Sequence, residues 1–252
     1  MFEEVLRDLQ EYSWNEKDFL LTTFSKNGTH LMWEIMMMLL RGSADYITDG
    51  KVACMIDLFP LKKTEAVFPS PRVLNTHYRL DVLPKAFRGR KTVVVMRNPK
   101  DTAVSYYYHK KNVQVNLPVL KEFVAKLTLS EMLEMFLEDK DMPYGRYFDY
   151  IEYMWSLRDE PNILLVFFED LINDPVSSIH RVNEFMGTER SAELFSLLAN
   201  NSQKQLENIH QKIYRKGKIG DWKNHLTVAE NEKFDEFLAK WPLSREIPFT
   251  YC

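Results

Sequence analysis

Four short apolar runs divide the chain, and longer segments with apolar positions three or four residues apart lie between them. The runs cover 19–24, 73–77, 91–96 and 162–168. Their apolar residues stand together rather than in alternation, with polar residues at the end of 73–77, and such runs are typical of parallel strands buried on both faces. The intervening patterns predict helices over 28–41, 100–111, 129–138, 144–158, 191–206 and 227–240, with another beginning at 173–175 and a short helix or turn over 81–87. Segment 43–71 contains three prolines and gives no assignment, and 207–224 is predicted to be a loop. This alternation predicts an α/β fold: one domain over residues 1–252, with a central parallel sheet flanked by helices on both faces.

The segment after the first predicted strand has the character of an anion-binding loop. It contains Lys26, Gly28 and Thr29, and an apolar helix follows at once. Backbone N–H groups and the dipole at a helix start attract phosphate, Gly28 permits close approach, and Lys26 adds a mobile cation. The loop is P-loop-like but lacks the two glycines and the Lys-Ser/Thr pair of a Walker loop. A simple polar turn before a core helix is the alternative explanation.

Three further polar clusters follow predicted strands or stand near the C-terminus. The carboxyl ends of parallel strands share one edge, so the loops after residues 24, 77, 97 and 168 should converge. His77 can act as a general base, since its ordinary pKa lies near 6.5. Arg97 can hold a phosphate through two hydrogen bonds, with Ser105 eight residues later. Arg215-Lys216-Gly217 can wrap a second phosphate. A structural histidine and solvated basic surfaces are the alternatives.

Composition excludes several classes of partner. The net charge of −3 does not indicate nucleic acid. Two distant cysteines do not indicate a disulfide framework, and six scattered histidines lack metal-ligand spacing, so no metal is expected.

The run Leu31–Leu40 is interrupted by Glu34 and falls short of the ~20 residues that span a bilayer. Residues Met1–Gln10 lack a signal-peptide pattern. We expect a cytoplasmic protein without membrane association.

In order and spacing, these segments resemble the cytosolic sulfotransferase family over about residues 20–240. Residues 23–29 look like the loop that holds the 5′-phosphosulfate of 3′-phosphoadenosine-5′-phosphosulfate (PAPS). Residues 97–105, continuing Tyr106-Tyr107, look like its 3′-phosphate segment. Arg215-Lys216-Gly217-x-x-Gly220-Asp221-Trp222-Lys223-Asn224 is similar to the C-terminal motif of the family. Thr76-His77 matches the segment of the catalytic base, and 167–170 matches a Tyr-Glu-Asp sequence. Lys223-x-x-x-Thr227-Val228-x-x-x-Glu232 matches a dimerisation motif.

The resemblance implies a sulfotransferase that transfers a sulfuryl group from PAPS to a hydroxyl or amine of a small lipophilic acceptor: a phenol, catecholamine, steroid or alcohol. His77 would be the general base and Lys26 would stabilise the leaving phosphate, with 3′,5′-adenosine bisphosphate (PAP) as product and no metal. The implied nucleotide-binding residues are Lys26, Asn27, Gly28, Thr29, His30, Leu31, Arg97, Ser105, Phe168, Arg215, Lys216 and Gly217. A homodimer through 223–232 is also implied.

Four positions depart from the family pattern. Asn75 replaces a lysine two residues before the base, and Leu31 replaces the tryptophan that stacks on adenine. Gln203 stands where a second aromatic ring is common, and Phe168 replaces a tyrosine. These departures leave open a catalytically weak or inactive sulfotransferase-like protein that binds the nucleotide. A nucleotide-dependent phosphotransferase is a further alternative, without a Walker lysine or a clear metal-binding carboxylate to support it.

Overall fold

The structure, a computed structural model, describes residues 2–47, 50–112, 118–138, 143–208 and 217–252. Its centre is a sheet of four parallel strands in the order β2-β1-β3-β4. The strands are β1 (Phe19–Thr23), β2 (Val73–Thr76), β3 (Thr92–Met96) and β4 (Ile163–Phe167). Leu21 lies opposite Asn75 on one side and Val93 on the other. All four strands coincide with the predicted apolar runs to within a residue or two, so the predicted parallel sheet is confirmed.

Helices fill the connections between the strands. Their bounds are α1 Phe2–Glu11, α2 Thr29–Arg41, α3 Gly50–Ala53, α4 Leu61–Val67, α5 Pro99–Asn112, α6 Pro118–Lys126, α7 Leu129–Glu138, α8 Tyr147–Ser156, α9 Phe168–Asn173, α10 Pro175–Met186, α11 Ala192–Asn208 and α12 Val228–Lys240. Short 3₁₀ turns cover Lys85–Phe87, Asp221–Asn224 and Pro242–Arg245. The periodicity did not predict α1, α3, α4, α6 or α9. Helix α11 extends to Asn208, so residues 207 and 208 of the predicted 207–224 loop are helical.

The sheet is covered by helices on both faces, as predicted. On one face Leu20 and Val94 belong to a buried cluster that includes Ala103 of α5, Phe136 of α7 and Tyr150 of α8. On the other face Leu21, Val93 and Val95 belong to a cluster with side chains of α2, α10 and α11. Each of these strand residues is fully buried. Burial of such a side chain contributes about 1.5–3 kcal/mol, which explains why apolar residues predominate in the strands.

The order of the strands creates a crevice at the carboxyl end of the sheet. The chain continues from β1 into α2 on one face, and from β3 into α5 on the other. Ligands of open α/β sheets bind where neighbouring connections diverge in this way. The loops after β1 and β3 are therefore the expected position of the site. Within the described part of the chain, no helix has the length and apolar character needed to cross a bilayer.

Candidate active site

The loop between β1 and α2 is a tight turn with two positive backbone angles. Lys26 has a φ of 76° and Gly28 a φ of 100°. A Cβ atom at Gly28 would lie only 2.6 Å from Cδ2 of Phe168. Glycine is therefore required here by both conformation and space, because a side chain would collide with an aromatic ring. The strained turn at Lys26 persists because the surrounding structure holds it, a situation common at binding sites.

Buried polar contacts fix this loop to β3 and α5. The Asn27 amide donates to the Val95 carbonyl at 3.4 Å and accepts from Thr102 Oγ1 at 2.9 Å, and Asn27 is fully buried. The structure thus places the side chain of Asn27, a predicted nucleotide-binding residue, inside the protein. Thr29, also a predicted ligand, has its Oγ1 2.6 Å from that of Thr23. The side chains of Asn27 and Thr29 therefore hold the conformation of the loop through internal hydrogen bonds.

Arg97 joins the loop after β3 to the loop after β1. Its Nη1 donates to the Lys26 carbonyl at 3.1 Å, and its Cζ lies 4.4 Å from the centre of the Phe168 ring. The Tyr147 hydroxyl donates to the Arg97 carbonyl. An arginine stacked on a ring keeps its guanidinium plane fixed, which suits recognition of a planar or tetrahedral anion. The structure therefore brings together Lys26, Gly28, Arg97 and Phe168, four residues predicted to bind the nucleotide.

His77 follows β2 directly and is bonded to the end of β1. Its Nδ1 lies 2.9 Å from the Thr23 carbonyl oxygen. Because a carbonyl can only accept a hydrogen bond, Nδ1 carries a proton and Nε2 of the neutral ring keeps its lone pair. Burial, with the Lys51 ammonium as the next cause, lowers the pKa of His77 well below its usual value. The ring is therefore neutral at physiological pH, the form that a general base requires.

Asp57 holds the backbone around His77. Its Oδ2 accepts from the His77 N–H at 2.8 Å, and its Oδ1 accepts from Thr76 Oγ1 at 2.5 Å. Burial raises the pKa of Asp57 to about 6. The Tyr144 ring meets the imidazole of His77 edge-on at 5.0 Å and lies 5.0 Å from the Tyr78 ring. Asp57 falls in the unassigned segment 43–71, so sequence analysis missed it.

Several cationic side chains act on the same histidines. Burial lowers the pKa of His30 to about 3, and the next causes are the charges of Lys51 and Lys26. The same two lysines help burial to lower the pKa of His77. Burial likewise lowers the pKa of His109, on α5, to about 4, with Lys26 the next cause. We call the cations Lys26, Lys51 and Arg97, together with the neutral imidazoles of His30 and His77, the cationic site. Lys51 and His109 were not singled out from the sequence.

The remaining predicted site residues lie in three settings. Ser105 is buried in the second turn of α5. Leu31 is buried in the apolar cluster between α2 and the sheet. Gly217 has a φ of 62°, whereas Arg215 and Lys216 lie outside the described residues.

The segment that follows Gly217 is anchored to the start of α5. The Asp101 carboxylate accepts the N–H groups of Gly220 at 2.8 Å and Trp222 at 3.0 Å. Asp101 lies two residues after Pro99, the first residue of α5, which itself follows Arg97 closely. This anchor brings the C-terminal motif to the edge of the sheet that carries the cationic site. Among the described residues, no cluster of three or more His, Cys, Asp or Glu side chains could hold a metal ion.

The fold and the cationic site together define an α/β protein with an anion-binding crevice at the carboxyl ends of parallel strands. The chain belongs to the sulfotransferase family: the family model described as "Sulfotransferase domain" matches residues 16–242. Sulfotransferase 1A1 of Mus musculus is 32% identical over 272 residues, covering 95% of this chain and 89% of the relative. Sulfotransferase 6B1 of Danio rerio is 32% identical over 254 residues, covering 92% and 81%. The predicted family and the predicted class of enzyme, a sulfotransferase, are confirmed.

Solved structures agree with this assignment. Mouse sulfotransferase SULT7A1 complexed with PAP superimposes with a TM-score of 0.74 at 26% identity, covering 95% of this chain and 89% of that chain. Retinol dehydratase in complex with androsterone and PAP shares the fold with a TM-score of 0.72 at 19% identity, covering 99% and 88%. The predicted fold class, an α/β domain with a central parallel sheet between helical layers, is confirmed.

Proposed function

We propose that this protein transfers the sulfuryl group of PAPS to a hydroxyl or amine of a small lipophilic acceptor, releasing PAP. One observation supports this most strongly. The hydrogen bond from His77 Nδ1 to the Thr23 carbonyl leaves Nε2 able to accept a proton beside the loop of Lys26. The solved relative SULT7A1, whose complex contains PAP, supports the same class of nucleotide.

The residues present suit a donor with anionic groups at both ends of an adenosine. Gly28 keeps the loop backbone free of a side chain beside Phe168, Arg97 supplies positive charge over the Phe168 ring, and its guanidinium is bonded to the backbone of Lys26. We propose that Lys26, Gly28, Thr29 and His30 hold the phosphosulfate end, with Asn27 shaping that loop. Arg97 and Ser105 would hold the 3′-phosphate together with Arg215, Lys216 and Gly217. Leu31 and Phe168 would supply apolar contact near the adenine.

The donor supplies the sulfuryl group, and the residues of the chain supply proton transfer and charge stabilisation. His77 Nε2 accepts the proton of the acceptor hydroxyl or amine, which strengthens the acceptor as a nucleophile. Thr23 and Asp57 hold the imidazole and its backbone in place. Lys26 and the N–H groups of its loop stabilise the negative charge that develops on the leaving phosphate oxygen. These roles do not call for a metal ion.

The environment of His77 supports a lipophilic acceptor. Tyr78 and Tyr144 form an aromatic wall beside the imidazole. Burial raises the pKa of Tyr144 above its usual value, so its hydroxyl stays neutral at physiological pH. A phenol, catecholamine, steroid or other alcohol can pack against such rings while its hydroxyl approaches Nε2. Cytoplasmic localisation, in keeping with such substrates, is part of this proposal.

The segment 223–232 is proposed to form a homodimer interface. Val228 is 76% exposed, and Lys223, Thr227 and Glu232 are also exposed. Thr227 and Glu230 form a reciprocal capping box, which fixes the start of α12 and the direction of its first side chains. An apolar residue presented on a rigid helix start is suited to contact a second copy of the same segment.

A nucleotide-binding protein with little or no turnover is the second candidate, favoured by the neutral Asn75 near His77. Mass-spectrometric screening of phenols, catecholamines, steroids and alcohols with PAPS separates the two. We expect a sulfated product with the wild-type protein and none without PAPS. Tight binding of PAP with no transfer to any acceptor would favour the second candidate. An absolute requirement for Mg²⁺ and a nucleoside triphosphate would instead favour a phosphotransferase.

A further inference from the structure

Lys51 is a buried cation without a carboxylate in direct contact. It is 6% exposed, and its Nζ donates to the thioether of Met55 at 3.6 Å. Within the described part of the chain, no carboxylate lies at ion-pair distance from this ammonium, and Asp57 acts on it only at longer range. Lysine is rarely buried without an anionic partner, because desolvation of the ammonium is costly. Burial accordingly lowers the pKa of Lys51 to about 8. A buried cation of this kind, in a segment bonded to the strand that leads to the candidate base, indicates that an anion binds there.

The charge of Lys51 affects residues on both the donor side and the acceptor side of the proposed reaction. It is the second cause, after burial, of the lowered pKa of His30, in the first turn of α2, and of His77, the candidate base. It also acts on His109 and on Asp57, whose two oxygens already accept hydrogen bonds from Thr76 and His77. The positive charge of Lys51 therefore acts on a residue that follows the phosphosulfate loop and on the candidate base, and its backbone is bonded to Asn75, two residues before that base. The sulfuryl group must pass between the phosphosulfate loop and His77 when it moves from donor to acceptor.

Asn75 fixes the backbone of Lys51 beside β2. Its Nδ2 donates to the Lys51 carbonyl at 2.8 Å. Its backbone N–H donates to the Cys54 carbonyl at 2.9 Å, and its carbonyl accepts from the Ile56 N–H at 3.0 Å. Segment 51–57 is thus bonded to the strand that ends just before His77. The neutral amide at position 75 does not supply a cation itself, but it positions the residue that carries one.

We propose that Lys51 is a catalytic residue that binds the sulfuryl oxygens and stabilises their negative charge during transfer. This proposal rests on the proposed function. Lys51 would provide from a neighbouring segment the positive charge that Asn75 does not provide from β2. A cation already desolvated and held in place stabilises such charge more strongly than one exposed to water.

Removal of the Lys51 charge tests this role. Lys51→Met keeps the length and apolar stem of the side chain and suits a buried position, and Lys62→Met on the exposed surface of α4 is the matched control. We expect kcat to fall about 10²–10³-fold in Lys51→Met, as when one preorganised donor is removed from an active site. PAPS should bind about tenfold more weakly, whereas PAP, which lacks the sulfuryl group, should bind within about twofold of wild type. Lys62→Met should change none of these values.

Lys51→Arg keeps the test decisive if Lys51→Met folds poorly, and a double variant tests the need for a cation directly. Lys51→Arg remains charged at every accessible pH, so the decline of kcat/KM that we expect in the wild type as pH rises through about 8 should disappear. In the Lys51→Met background, Asn75→Lys should raise kcat at least about tenfold, since it returns a cation next to His77.

Several outcomes would overturn the proposal. They are a kcat of Lys51→Met close to that of the wild type, equal loss of PAP and PAPS binding, an unchanged alkaline decline in Lys51→Arg, or no gain from Asn75→Lys. If Lys51→Met lost activity only with acceptors that carry an acidic group, Lys51 would bind the acceptor and not the sulfuryl oxygens. This result would also overturn the proposal. If the wild-type protein transfers nothing, the proposed function fails, and the comparison of PAPS with PAP affinity still decides the role of Lys51.

Discussion

His77 Nδ1 lies 2.9 Å from the carbonyl oxygen of Thr23, so the ends of two neighbouring strands are joined through the side chain of the candidate base. The contact determines which ring nitrogen carries the proton, because a carbonyl oxygen can only accept from Nδ1. It also positions the imidazole, which follows β2, next to the loop that contains Lys26, which follows the neighbouring strand β1. The chemistry of His77 therefore depends on the pairing of β1 with β2.

Asp57→Asn should lower activity without removing nucleotide binding. The carboxylate accepts two hydrogen bonds, from the His77 N–H and from Thr76 Oγ1, whereas an amide offers one acceptor oxygen. We expect kcat to fall about tenfold, corresponding to about one hydrogen bond. The affinity for PAP, measured by calorimetry, should stay within about twofold of wild type. A kcat equal to that of the wild type would show that Asp57 does not position His77.

Gly28→Ala should destabilise the protein more than an equivalent change elsewhere. Gly28 has a φ of 100°, and a Cβ would lie 2.6 Å from the Phe168 ring. Gly145 has a φ of 80°, but a Cβ there would meet no neighbouring atom within 4 Å, so Gly145→Ala is the matched control. We expect losses of about 3 kcal/mol for Gly28→Ala and about 1 kcal/mol for Gly145→Ala in urea unfolding. Equal losses would contradict the close contact with Phe168.

Arg97→Met should weaken binding of PAP about 10–100-fold, since charge-assisted hydrogen bonds contribute about 1.5–3 kcal/mol. Adenosine 5′-monophosphate lacks the 3′-phosphate, so its affinity should change by less than about threefold. Arg88→Met is the control, because Arg88 is exposed and donates to the carbonyl of Asp81. Calorimetric titration with both nucleotides measures the difference. Equal loss of both would place Arg97 away from the 3′-phosphate.

The sequence predicts the parts of this molecule that depend on local pattern. Strand β3 reads Thr-Val-Val-Val-Met and is buried throughout, so its apolar run leaves little choice of structure. The helix after Gly28 and the positive charges at Lys26 and Arg97 follow from residue types next to strand ends. The structure confirms that these loops meet, because Arg97 donates to the Lys26 carbonyl.

The sequence does not reveal contacts between segments without a periodic pattern. Asp57 and Lys51 lie in a segment with short helices and prolines, and their importance depends on the pairing of 54–56 with Asn75. The resemblance implies that Asn27 binds the nucleotide, and this stays a prediction. The structure adds that its side chain satisfies buried polar groups of Val95 and Thr102, a requirement that residue type alone does not show.

Val228→Asp should dissociate the proposed homodimer. Val228 is 76% exposed at the start of α12, and a charge there would be desolvated at an interface between two copies. We expect the mass measured by light scattering to change from dimer to monomer. Val176→Asp is the control, because Val176 is 41% exposed at the start of α10, outside the proposed interface. A mass that is the same for wild type and Val228→Asp would exclude this interface.

The most direct test of His77 as the base is the single-turnover rate of sulfuryl transfer from bound PAPS in His77→Ala and wild type, with the exposed His180→Ala as control. We predict transfer about 10²–10⁴-fold slower in His77→Ala, with PAP affinity preserved and His180→Ala equal to wild type. Transfer by His77→Ala at the wild-type rate would contradict this assignment.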